Sequence, residues 1–111
     1  MKIVHISSGN ITSGSFLGLL NLHEKLIKNK IDSVIHLAAS LSIGIGEKYP
    51  KQYYKNNVQG TKSLINACIK TSVRNFIFSS TAAVYKDGLR IVTENSQIKP
   101  MSVYGKTKIK A

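Results

Sequence analysis

Hydrophobic positions along the chain change period as it proceeds, and the changes mark its elements. Ile3, Val4 and Ile6 open a short β-like run that closes on Ser7-Ser8-Gly9-Asn10. Phe16, Leu19, Leu20, Leu26 and Ile27 then recur at helical steps, which predicts a helix from Phe16 to Lys30. Asp32 to Ala39 is short, apolar and rich in β-branched residues, the character of a buried parallel strand. Ser40 to Pro50, punctuated by Gly44 and Gly46, reads as a loop. Tyr54, Val58, Thr61, Leu64, Ile65, Cys68 and Ile69 mark one face of a long helix. Gly60 inside that helix costs up to about 1 kcal/mol relative to alanine, so a close packing or ligand contact is expected there. Arg74 to Ser79 predicts a second buried strand and Asp87-Gly88 a turn. Lys99-Pro100 ends the next loop, and Ser102 caps a last helix.

The order strand, helix, strand, helix, strand implies right-handed βαβ units and a parallel sheet. The expected fold class is therefore α/β, a partial Rossmann-like doubly wound sheet. With 111 residues the chain makes at most one small domain, since domains usually run to about 100–150 residues. No repeat or low-complexity tract interrupts it. A hydrophobic fraction of 42% argues against disorder throughout. No apolar run reaches the ~18–20 residues of a membrane helix, and the opening lacks the form of a signal peptide. Cys68 is the single cysteine, which excludes an internal disulfide and suits a reducing compartment. Cytoplasm is the expected location.

Charge adds a rival reading. Sixteen Lys and Arg against five Asp and Glu give a formal +11, the footprint of a nucleic-acid binder. The positive residues are nearly all lysines spread along the chain, and only Arg74 and Arg90 offer planar bidentate contacts. Solvated surface lysine is the favoured account, with nucleic acid the lesser alternative.

In open parallel sheets ligands sit beyond the carboxyl ends of the strands. Here those ends are Leu37-Ala38-Ala39-Ser40 and Ser79-Ser80-Thr81. Small side chains would admit a flat cofactor and the hydroxyls a sugar, although Ser and Thr also simply end strands. Tyr104 and Lys108 stand four apart and share a helix face. A nearby ammonium favours the phenolate, which then acts as a general base. With five tyrosines among many lysines, chance spacing is an equal reading of that pair alone. His5, His23 and His36 lack metal-ligand spacing, and no metal is expected. His36 is expected to be a satisfied core histidine, Cys68 a packing residue, and the Leu19-Leu20 and Leu26-Ile27 stripe core.

Four blocks taken in order are more specific. Asp32-Ser33-Val34-Ile35-His36-Leu37-Ala38-Ala39 and Tyr53-Tyr54-Lys55-Asn56-Asn57-Val58-Gln59-Gly60-Thr61 come first. Phe76-Ile77-Phe78-Ser79-Ser80-Thr81-Ala82-Ala83-Val84-Tyr85 and Ser102-Val103-Tyr104-Gly105-Lys106-Thr107-Lys108 follow. Together they resemble the extended short-chain dehydrogenase/reductase family, specifically its UDP-glucose 4-epimerases. The resemblance is good over residues 31–111 and weak over 1–30.

That resemblance implies NAD as cofactor, a UDP-sugar as substrate and a homodimer for the intact relatives; the oligomeric state of this chain stays open. It implies that Tyr104 takes the proton of the sugar 4-hydroxyl. Lys108 would hold the nicotinamide ribose and lower the Tyr104 pKa, and Thr81 would bond the reacting oxygen. Ala38, Ala39, Asn57, Ser79 and Ser80 would line the cofactor. Related dehydratases tend to carry an acid after the Thr81 position, and Ala82 and Ala83 cannot serve as one, which favours the epimerase.

The chain also departs from the family. Gly9, Gly14 and Gly18 lack the Gly-x-x-Gly-x-x-Gly spacing that sets a pyrophosphate on a helix N-terminus. The acidic residue that grips the adenosine ribose has no clear counterpart. The opening residues fit the family's third strand better than its first, which would put Gly9-Asn10-Ile11 beside the adenine. A degenerate first strand and glycine turn is the alternative. Leu41 stands where epimerases commonly carry a lysine, and Lys86 where they carry a glycine. The expectation is a partial NAD-binding domain over 1–111 without the substrate domain, inactive by itself. The alternative is a non-catalytic remnant that binds NAD or a partner chain.

Overall fold

Three four-residue strands form one parallel sheet, ordered β1-β2-β3 along both chain and sheet. They are β1 (Ile3–Ile6), β2 (Ser33–His36) and β3 (Asn75–Phe78). The computed structural model describes residues 1–6, 26, 28–88 and 90–111. Most of the helix expected from Phe16 to Lys30 lies outside these, with Gly9, Asn10, Ile11, Gly14, Gly18 and His23.

β2 is the central strand, and Val34 is wholly buried in it. Ile3, Ser33 and Asn75 stand in one row across the sheet, and Ile6, His36 and Phe78 in another. Asp32 secures the entry to the sheet. Its carboxylate accepts from the Lys2 backbone N–H at 2.7 Å, and its carbonyl accepts from Arg74 N–H at 2.9 Å. The α/β class and the parallel sheet thus hold. The opening strand hydrogen-bonds β2 directly. Were it the family's third strand, β2 would be the fourth, yet in the doubly wound order 3-2-1-4-5-6 the strand beside the fourth is the first, so β1 takes the slot of a first strand. Pairing there satisfies the backbone groups along the edge of the most buried strand.

The strands are shorter and less enclosed than the apolar runs suggest. Leu37, the residue after β2, is 45% exposed, and Ile77 within β3 is 56% exposed. β3 alternates exposed and half-buried residues, so only its Phe76 and Phe78 side is covered. The core consists of Leu26, Val34, Leu64 and Cys68, with Ile6, Ile31, Ala67, Val73 and Phe76 packed around it. Each fully buried aliphatic side chain there stabilises the fold by about 1.5–3 kcal/mol. Cys68 and Leu26 are core, as their positions predict.

The segment expected to be loop contains a six-residue helix, α1 (Ile43–Lys48), capped by Ser42. After it a continuous helical rod runs from Pro50 to Lys70. It is composed of α2 (Pro50–Tyr53), a π-helical stretch (Tyr54–Gln59) and α3 (Gly60–Lys70). The wider π turn changes which residues face inward. Tyr53, Asn57 and Thr61 are buried at four-residue steps, and Leu64 and Cys68 continue the face. Tyr54 is only half-buried and Ile69 is 71% exposed, so the simple 3.6-residue period misassigns both. The chain then makes a 3₁₀ turn at Ala82–Val84 and ends in α4 (Val103–Lys110), capped by Ser102 as predicted. Gly88 has φ +81, which makes the predicted Asp87-Gly88 turn. No described helix is long and apolar enough to cross a membrane.

Gly60 has no close neighbour: a Cβ there would meet nothing nearer than the Lys55 carbonyl oxygen at 4.0 Å. Among the described residues the expected close packing is absent, and its φ of −59 suits any residue. Gly60→Ala should therefore raise stability by up to about 1 kcal/mol, read as a higher melting temperature by circular dichroism. A lower melting temperature would show that the position needs glycine.

Candidate functional site

The candidate residues gather at the carboxyl edge of the sheet, and a buried polar seam holds them there. Ser79 N–H donates to the His36 carbonyl at 3.1 Å, which sets the ends of β2 and β3 side by side. Ala38, Ala39 and Ser40 leave β2 half-buried, while Ser79 and Ser80 leave β3 exposed. Thr81 follows, half-buried, and its Oγ1 accepts from Ala83 N–H at 3.2 Å to start the 3₁₀ turn.

Asn57, only 2% exposed, joins three elements. Its Oδ1 accepts from Ser40 N–H at 2.7 Å and its Nδ2 donates to the Ser40 carbonyl at 3.1 Å. The same Nδ2 donates to Thr107 Oγ1 at 3.0 Å, and Thr107 Oγ1 donates to the Tyr104 carbonyl at 2.8 Å. Thr107 is fully buried. The α4 turn that carries Tyr104 and Lys108 is thereby tied to the long rod and to the end of β2. Gly105 closes the contact from another side, since a Cβ there would fall on the Ala83 carbonyl. The helix can lie against the 3₁₀ turn only with no side chain at that point.

Lys108 is 4% exposed, and its Nζ lies 4.0 Å from the centroid of the Phe78 ring. Burial pushes its pKa below the ordinary lysine value. The ring face offsets part of that cost, by up to about 2 kcal/mol for a desolvated cation. Among the described residues this ammonium has no hydrogen bond and no ion pair. Tyr104 is half-buried on the preceding turn. Burial pushes the nearby Tyr53 phenol up, and Tyr104 adds to that shift.

His36 is not the satisfied core histidine its sequence suggests. Its Nε2 lies 2.9 Å from Thr61 Oγ1, and Thr61 Oγ1 donates its only hydrogen to the Asn57 carbonyl at 2.7 Å. The hydroxyl must therefore accept from His36, which puts the ring proton on Nε2. Among the described residues Nδ1 is left as a buried lone pair without a partner. Burial first, then the Lys108 charge, lower the His36 pKa to about 4. The seam thus runs from β2 through the rod to α4 with a neutral histidine at its origin. Burial pushes the Cys68 thiol up, which keeps it a packing group. No group of three or more His, Cys, Asp or Glu among the described residues is placed to hold a metal.

Three participants escape sequence reasoning. Thr107 was legible only as a residue between Tyr104 and Lys108, and Gly105 only as part of the same block. Glu47, which reaches α4 from α1, carries no sequence signal, because its contact spans 56 positions.

Residues 3–111 match the NAD dependent epimerase/dehydratase family. The chain is 41% identical over 90 residues to the UDP-glucose 4-epimerase of Caenorhabditis elegans, covering 78% of this chain and 26% of that protein. It is 40% identical over 82 residues to the UDP-glucose 4-epimerase of Halalkalibacterium halodurans, covering 73% of this chain and 25% of that one. The crystal structure of the Brucella ovis UDP-glucose 4-epimerase in complex with NAD superimposes with a TM-score of 0.80 at 34% identity. That alignment covers 96% of this chain and 36% of the other. The chain spans about a quarter of the length of the curated relatives it matches.

Gly105→Ala should force α4 off the 3₁₀ turn and destabilise the protein by about 1–3 kcal/mol, measured by urea denaturation. Stability should also depend on pH through His36. Its pKa falls from 6.5 to about 4 on folding, so the folded state binds fewer protons between those values. The contribution is complete above about pH 6.5 and is lost as the pH falls toward 4. Urea melts across that range should show a steeper decline for the wild type than for His36→Gln, whose amide does not titrate.

Proposed function

The chain belongs to the NAD dependent epimerase/dehydratase family, and we propose that its carboxyl-edge site serves UDP-glucose 4-epimerase chemistry on a UDP-hexose. The observation that carries this reading is the docking of α4. It seats the Lys108 ammonium at the end of β3, four residues from Tyr104, with the Phe78 ring as its only partner among the described residues.

The residues present fit NAD. Three N–H donors on Lys108 remain for oxygen acceptors such as ribose hydroxyls. Ala38 and Ala39 offer no side chain that would obstruct a flat ring, and Ser79 and Ser80 expose backbone and hydroxyl groups beside them. NAD, when bound, supplies the acceptance and return of hydride at the sugar C4. Tyr104 would take the proton of the sugar 4-hydroxyl and return it to the same oxygen, the inversion lying in which face of C4 takes the hydride back. Lys108 holds the ribose. Thr81 Oγ1 accepts from Ala83 N–H, which leaves its own hydrogen free for the reacting oxygen. Asn57 keeps the end of β2 and α4 at a fixed separation. Ala82 and Ala83 offer no acid to expel water, which supports epimerisation over dehydration.

On this reading residues 1–111 are part of an NAD-binding domain. The relatives' greater length houses the remaining nucleotide and sugar contacts, and the complete enzyme is a homodimer. Circular dichroism melts with and without millimolar NAD⁺ test the site. NAD⁺ should raise the melting temperature of the wild type, since binding to the native state stabilises it. Tyr104→Phe should keep that rise and Lys108→Ala should lose most of it. A melt that NAD⁺ does not move would overturn the reading. The 111-residue chain assayed alone should not interconvert UDP-glucose and UDP-galactose.

A further inference from the structure

Glu47 is the only carboxylate between Ser33 and Lys86, and among the described residues it pairs with no lysine. Its Oε1 instead accepts from the Val103 backbone N–H at 2.7 Å. Val103 is the first residue of α4 and directly precedes Tyr104. Ser102 Oγ accepts from Gly105 N–H at 3.0 Å. Two of the four N–H groups that a helix leaves unpaired at its start are therefore held, one of them by a charge facing the positive end of the helix dipole.

Packing fixes the reach of Glu47. A Cβ on the preceding Gly46 would stand 3.0 Å from the Tyr53 ring, so α1 lies directly on that ring. Tyr53 Oη donates to the Ser42 carbonyl at 2.6 Å, and Ser42 Oγ accepts from Ile45 N–H at 3.5 Å. The short helix is thus held to the buried Tyr53 at its cap and at Gly46, and Glu47 leaves it toward α4. One turn further along α4, Thr107 is held by Asn57. With its first residue and the next turn each held by a different element, the helix resists turning about its axis.

We propose that Glu47 is a positioning residue for the Tyr104–Lys108 pair, setting the rotation at which Tyr104 meets the carboxyl edge. The inference rests on the role given to that pair above, and it adds a residue from outside the four blocks of resemblance. Its importance follows from the tolerance of such sites, where about 1 Å of misplacement can cost on the order of 10²-fold in rate.

Amide hydrogen exchange by NMR on the wild type, Glu47→Ala and Glu47→Gln tests it, with NAD⁺ affinity measured calorimetrically on the same proteins. Glu47→Ala should lower the protection of the Val103 amide roughly tenfold, the size expected for a lost helix cap. Leu64 and Cys68 in the core should keep theirs, and NAD⁺ should bind several-fold more weakly. Glu47→Gln, which retains an acceptor oxygen, should restore most of both losses. Unchanged protection at Val103 in Glu47→Ala overturns the proposal, as does a loss shared equally by Leu64 and Cys68. If Glu47→Ala fails to fold, Glu47→Asp, whose carboxylate is one methylene short of Val103, decides: loss of protection confined to the first turn of α4 supports the anchor, and none overturns it. A wild type that binds no NAD⁺ would sink the functional reading of the site, while the exchange results would still decide whether Glu47 holds α4.

Discussion

Asn57 Oδ1 and Nδ2 pair with the backbone N–H and C=O of Ser40 much as a neighbouring strand would. The remaining donor capacity of the amide goes to Thr107. One buried side chain thus joins the end of the central strand, the long helical rod and the last helix. An unsatisfied amide in that position costs about 1–3 kcal/mol, so the three elements hold one another at a single separation. The end of β2, the rod and α4 are tied together through this one amide.

The π-helical stretch makes that arrangement possible. In an unbroken α-helix, Tyr53, Asn57 and Thr61 would drift around the axis by about 40° at each four-residue step. Across the π-helical stretch the ring of Tyr53, the amide of Asn57 and the hydroxyl of Thr61 are all buried. Tyr53 then supports α1, Asn57 supports α4 and Thr61 fixes the His36 tautomer. A locally irregular helix thereby serves three contacts that a regular one would spread over its surface.

Electrostatically, the site sets a largely buried ammonium beside a neutral imidazole. Lys108 is buried against an aromatic face, and His36 stays neutral beside it because a second buried cation would be repelled and poorly solvated. The formal charge of +11 has little bearing on this interior. Among the described residues the lysines are exposed except Lys108, which α4 brings against the Phe78 ring.

By itself the sequence determined the α/β order, the parallel strands, the Ser102 cap, the burial of Val34, Leu64 and Cys68, and the family blocks that contain Tyr104 and Lys108. These features depend on local period, on turn chemistry or on contiguous motifs, all of which are written along the chain. Only the tertiary structure decided that Ile69 and Ile77 face solvent, that Gly60 packs against nothing and that β1 lies beside β2. It alone revealed the unpartnered His36 Nδ1, the Asn57–Thr107 bond and the reach of Glu47 to Val103. Each of these is set by which element lies opposite, across separations of 25 to 56 residues for the polar contacts. No periodicity encodes such a distance, because a hydrogen bond depends on where two atoms meet and not on how far apart they stand in the chain.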